Sequence, residues 1–133
     1  MPSLPRSDPV RAANVTWASL GQRARMWRVL HAAWSVVQMA GLGHIWASAM
    51  LRRRSPTVWA SVAILSVEGA ALVVGRGNCP VGRLQTEWGD PVPFFELFLP
   101  PRAAKAAVPV LAVISAGGIA ALLVRRPGLA GRA

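Results

Sequence analysis

The chain has 133 residues, of which 53% are hydrophobic and only 15% charged, with a formal net charge of +10. Such a length holds one domain, and the charged share falls well below the roughly one quarter found in soluble domains. The positive balance does not point to nucleic acid, because the arginines sit at the ends of apolar runs instead of forming one stripe with interleaved aromatics.

Residues 1–22 carry Pro, Ser and Arg without a clear period and read as a flexible basic tail, with helical tendency near Ala12 to Leu20. From Met26 to Met50 the chain is almost uncharged, which predicts a first membrane span over about 26–50. Arg28 lies at its edge, where its long side chain can snorkel to the interface. Trp27 and Trp46 are nineteen positions apart. That is about 28 Å along a helix, close to a hydrocarbon thickness of about 30 Å, and Trp favours both interfaces. Ala47-Ser48-Ala49 has the look of a signal-peptide cleavage site, but the apolar region before it is too long and contains His31, Gln38, His44 and several Trp.

Arg52-Arg53-Arg54-Ser55-Pro56 predicts a tight charged turn, followed by a second span over about 57–75 with Trp59 at the near interface. Gly75, Gly77 and Asn78 are expected to end it. A polar block over 76–105 comes next, with Cys79, the only Lys and the carboxylates of Glu87, Asp90 and Glu96. One cysteine excludes an internal disulfide and any multi-cysteine metal site. Cys79-Pro80 reads as a rigid turn with a buried thiol, or as a thiol activated by Arg76 and Arg83. Trp88-Gly89-Asp90-Pro91 reads as a turn.

Pro91 to Pro101 is apolar but too short to span, and is expected to lie in the interface or to dip in and return. A third span over 106–124 stops at Arg125-Arg126-Pro127-Gly128, leaving a tail over 127–133. Pro109 is expected in its first turn or just inside. Ala112, Ala116, Gly117, Ala120 and Ala121 would let another helix approach closely. The expected fold is therefore an all-α membrane protein with three transmembrane helices plus an interfacial or re-entrant segment. Counting basic residues on the two sides gives nine against six in favour of a cytoplasmic N-terminus.

Few residues suggest chemistry. His31, Ser35 and Gln38 share one face of the first span, and Thr57, Ser61 and Glu68 share one face of the second. An antiparallel pairing puts Glu68 at a depth between Ser35 and Gln38. A carboxyl inside hydrocarbon needs a partner or stays protonated, and Gln38 or His31 is the partner expected. The site reads as an interhelical hydrogen-bond clamp ahead of a proton relay or ligand site. His44 points away from His31, so the two do not share a metal or haem. Gln85, Glu87, Asp90 and Glu96 show no metal-ligand spacing, and phosphate-loop, nucleophile-elbow, metalloprotease and dinucleotide motifs are all missing from the sequence. No cofactor and no metal are expected. The ligand-binding candidates are His31, Gln38, Glu68, Cys79, Pro80, Gln85 and Glu96.

Three motifs carry a resemblance: Leu30-His31, then Cys79-Pro80-Val81-Gly82-Arg83-Leu84-Gln85, then Phe94-Phe95-Glu96-Leu97-Phe98-Leu99-Pro100. Their order and spacing, over about 26–124, resemble a family of small bacterial integral membrane proteins of unknown function. That family shows a Leu-His early in the first span, Cys-Pro-Leu-Thr-x-x-Glu after the second, and a Phe-Ile-Glu-His-Tyr-like stretch before the last. Here Val81-Gly82 replaces Leu-Thr, and Leu97-Phe98 replaces His-Tyr, as in a divergent, actinobacterial branch. The resemblance implies fold and membrane location and carries no activity.

The function expected is that of a non-enzymatic accessory or interaction protein of the bacterial inner membrane, touching the lipid bilayer and a membrane protein partner or a second copy of itself. The alternative is a binding site for lipid, quinone or metal, or an enzyme, between the first two spans and the Cys-Pro block.

Overall fold

The computed structural model describes residues 17–76, 80–90 and 92–127. Among these the fold is helical throughout. A 3-10 turn at Trp17–Ser19 leads into α1 (Gln22–Met50), followed by α2 (Pro56–Val74), α3 (Pro80–Glu87), a 3-10 turn at Phe94–Leu97, and α4 (Pro101–Val124). Cys79 lies outside the described residues, as does most of the tail assigned to 1–22. The end of that tail is tied down: Arg25 donates to the carbonyls of Trp17 and Ala18 at 3.1 and 2.9 Å.

Local chemistry sets the boundaries. α1 closes with Arg52 in the left-handed region (φ 54°) and with Arg53 N–H on the Ser48 carbonyl at 2.9 Å, the helix-ending pattern usually given to glycine. Ser55 then caps α2, its hydroxyl accepting from Val58 N–H at 3.3 Å, with Pro56 in the first turn. At the far end of α2 the expected glycine stop is displaced by one residue. Gly75 keeps an ordinary φ of −77° and Arg76 takes the left-handed value of 53°. α4 starts at Pro101, five residues earlier than its apolar run, because Pro100 and Pro101 preset the first turn while Arg102 and Lys105 interrupt the hydropathy. Pro109 therefore falls inside the helix, where it has no N–H to give the Lys105 carbonyl.

Two of the helices, α2 and α4, are long and apolar enough to cross a membrane. α1 has the length, with 29 residues, but Arg23, Arg25, Arg28, His31, Gln38 and His44 lower its hydropathy.

α1 lies between α2 and α4, which meet each other only briefly. α2 returns antiparallel along α1, with Trp34 beside Glu68, Gly41 against Ser61 and His44 beside Thr57. This register sets Glu68 level with Trp34, about two residues deeper toward the α1 N-terminus than span midpoints predict. α4 runs parallel to α1. Gly118 lets the two backbones approach so closely that a Cβ there would lie 2.8 Å from Trp46 Nε1 and 3.2 Å from Ile45 Cγ2. The close approach is at Gly118, with Ala121 on the shared core, while Ala112, Ala116, Gly117 and Ala120 of the expected small-residue face remain exposed. Ile45, Ala49, Val58 and Leu122 form a dry core at this end of the bundle, with Val62, Leu65, Ile119 and Ala121 packed on it. Arg54 finishes that end by donating to the carbonyls of Leu122, Leu123 and Arg125 at 3.1 to 3.3 Å.

Candidate functional site

The opposite end of the bundle is polar, and its geometry begins with how α3 stops. Gly89 takes a φ of 94°, which a side chain would oppose. Gly89 N–H then reaches the Thr86 carbonyl at 3.2 Å and Asp90 N–H the Gln85 carbonyl at 3.1 Å. This double closure folds Asp90 back over the last turn of α3. The turn expected at Trp88-Gly89-Asp90-Pro91 is this helix cap, and its effect is to set the Asp90 carboxylate beside the Gln85 amide.

Arg28 of α1 meets that carboxylate with two arms: Nη2 to Oδ1 at 2.6 Å and Nε to Oδ2 at 2.8 Å. The Gln85 amide nitrogen adds a bond to Oδ2 at 2.8 Å, and Val92 N–H one to Oδ1 at 3.2 Å. Four donors fill the four lone-pair sites of the carboxylate. Asp90 and Gln85 are 1% and 2% exposed, so the group is shut away from water. Burial pushes the Asp90 carboxyl up, but the hydrogen bonds from Arg28, Val92 and Gln85 and the Arg28 charge together outweigh it. The net result is a carboxyl held below its ordinary value.

Gln85 extends the network to α1 a second time. Its amide nitrogen donates to Asp90 and, at 2.9 Å, to the Val92 carbonyl, both of which only accept. Its oxygen therefore faces His31, whose Nδ1 lies 3.0 Å away. Phe94 stacks on the His31 ring at 4.4 Å and 25°, and Phe98 meets Phe94 edge-on at 5.6 Å. Trp27, one turn before His31, packs on Trp88 at 5.1 Å. An open cup of about 310 Å³ remains on α1, lined by Trp27, Leu30, His31 and Trp34.

The predicted residues divide accordingly. His31 and Gln85 are brought together. Glu68 is not joined to His31 or Gln38 as expected; the Trp34 indole N–H points to it at 3.5 Å instead, because the helix register sets those two level. Gln38 makes no hydrogen bond among the described residues. Glu96 stands in the Phe94–Leu97 turn beside the network, with its carboxylate outside it. Pro80 opens α3, and Cys79 lies outside the described residues. His44 meets Thr57 at 3.2 Å, far from His31. No group of three or more His, Cys, Asp or Glu side chains gathers among the described residues.

Sequence reasoning missed Arg28 and Asp90 as a pair. The sequence suggests the interface for Arg28 and a turn for Asp90. The available signal is that both belong to the same side of the predicted topology; the burial of Asp90 that makes the arginine necessary is visible only in the structure.

Compared with protein-family models, with curated proteins and with solved structures, the chain matches none.

Proposed function

We propose that this chain is a three-span integral membrane protein of the bacterial inner membrane with a cytoplasmic N-terminus, acting as a non-enzymatic accessory protein. The observation that carries this reading is the outward direction of its apolar side chains. Only 11% of the most apolar stretch of α2, and of α4, is buried inside the molecule. Val67, Val73, Val110 and Val113 are more than half exposed. Such surfaces suit lipid or a larger membrane protein.

α1 is included as a span because it packs along both apolar helices, so whatever slab holds α2 and α4 holds α1 too. Its tryptophans and histidines lower hydropathy without forbidding insertion, since Trp belongs at the interface and His44 is bonded within the bundle. The accessory role follows from the polar end: the Asp90 carboxylate is fully engaged, so it positions the loop and has no lone pair left for proton transfer. The resemblance of Leu30-His31 and the Cys79-Pro80 and Phe94-Phe95-Glu96 motifs to a family of small membrane proteins is in keeping with this.

Alkaline carbonate extraction of membranes from expressing cells tests the first claim, and reporter fusions at residues 1, 53 and 133 test the topology. The chain is expected to stay in the pellet, with the middle fusion periplasmic and the N-terminal fusion cytoplasmic. Release into the carbonate supernatant would sink the reading.

A further inference from the structure

We infer that the cup over Trp27, Leu30, His31 and Trp34 is a binding site for a neutral, hydroxyl-bearing aromatic ring, with His31 Nε2 as the acceptor of its hydroxyl proton. The cup's volume of about 310 Å³ is at the lower edge of ligand-pocket size and leaves room for one substituted ring.

The proton on His31 has an address that neighbouring groups dictate. Asp90 and the Val92 carbonyl can only accept, so both Gln85 amide protons are committed to them. The Gln85 oxygen can only accept, so the His31 nitrogen 3.0 Å from it carries a proton. A neutral imidazole with its proton on Nδ1 has a bare lone pair on Nε2. Phe94 covers one face of the ring, Nδ1 is taken by Gln85, and Nε2 is the polar atom of this lining residue with no hydrogen bond among the described residues.

The rest of the lining selects the class of ligand. Two indoles and a leucine offer flat apolar contact, and His31 is the only ionisable side chain among the four. A cation would meet the positive field of Arg23 and Arg25 at this end of α1, where the Arg28 charge is already balanced by Asp90. An anion would find no free cation in the lining, because Arg28 is committed to Asp90. What remains is a neutral ring with a donor to give: a phenol or a hydroquinone head. An apolar tail on such a molecule would run along the exposed Leu30 and Trp34, which are 51% and 41% exposed.

This rests on the membrane reading only for the tail. Carbonate extraction reads topology and ligand titration reads the cup, so one can fail while the other stands. The test is a titration of the full chain in mild detergent with para-hexylphenol and with para-hexylanisole, which lacks the donor, followed by calorimetry and Trp fluorescence. The phenol is expected to saturate with an affinity roughly tenfold above the ether, the size of one good hydrogen bond. His31→Asn keeps an amide donor near the Nδ1 position and removes Nε2. In that variant the ratio of phenol to ether affinity should fall to about one, whatever the loss of ring contact does to both probes alike. Imidazole nitrogen resonances of the free protein should show the proton on Nδ1, and phenol should shift Nε2. Equal affinities for the two probes, a phenol preference that survives in H31N, or a proton found on Nε2 in the free protein would each overturn the proposal.

Discussion

Arg28 and Asp90 lie 62 positions apart and are joined through both nitrogen arms of the guanidinium, at 2.6 and 2.8 Å, with the Asp90 side chain wholly buried. This pair fastens the loop after α3 to the first helix. Removing one member leaves the other charged and shut away from water, which costs about 3 kcal/mol. Arg28→Leu should lower stability by that order in chemical unfolding from micelles. The double variant R28L/D90L should recover most of the loss, since neither charge is then stranded. If R28L unfolds with the wild-type midpoint, the pair contributes nothing.

The same carboxylate gives an acid dependence with a definite sign. Its folded value lies below the ordinary one, which is about 3.9. Its contribution is therefore complete above the ordinary value and is lost as pH falls through the lower, folded one. Melting temperature should hold steady from about pH 7 to 5 and drop below about pH 4, with Asp90→Asn showing a shallower drop. Equal slopes in wild type and D90N would remove Asp90 as the cause.

At the dry end, Gly118→Ala sets a methyl group 2.8 Å from Trp46 Nε1 and 3.1 Å from Cδ1. The indole must move, and its bond to the Ile114 carbonyl at 3.2 Å goes with it. Overpacking of this kind costs about 1–3 kcal/mol. A red shift of Trp fluorescence in G118A, together with the lower midpoint, checks the expected displacement.

Arg54 caps α4 from a different helix turn, reaching three of its last carbonyls. Arg54→Ala should speed hydrogen exchange at the final amides of α4 and lower stability by about 1 kcal/mol, the usual size of a cation at a helix C-terminus. Lysine keeps the charge without the planar fork, so R54K should fall between the two. Unchanged exchange near residue 124 would argue that the contact does not hold the helix end.

The helices were legible where pattern and chemistry agree. Ser55-Pro56 announces the start of α2, and the uncharged run to Val124 announces the end of α4. Boundaries slipped where charge hid helix, as at Arg102 and Lys105, and by one residue before Arg76, which took the left-handed turn in place of glycine; Arg52 does the same without moving the expected end at Met50. The membrane reading of α1 has partial support, since only α2 and α4 have the required hydropathy. At the candidate site, His31 was visible as a polar residue on a predicted span and Gln85 only as a member of the polar block, where no helix was expected. Their pairing was not visible, because it depends on Gly89 turning the chain back by a whole cap. Glu68 shows the limit of depth arithmetic: an offset of about two residues along the helix gives it Trp34 as neighbour in place of Gln38 or His31.

The central place of α1 has a consequence for how the molecule is made. α2 and α4 meet only at the end where Val58 and Leu122 share a core, so most of what each recognises is α1. A chain emerging from its N-terminus can complete the α1–α2 hairpin, with Ser55 already capping it, before any of α4 exists. α4 can then dock on that hairpin, held by Trp46 at Ile114 and by Arg54 at its C-terminal end, with the turn before it fixed by Phe94 on His31. Damage to these contacts should leave a two-helix intermediate with an undocked third segment.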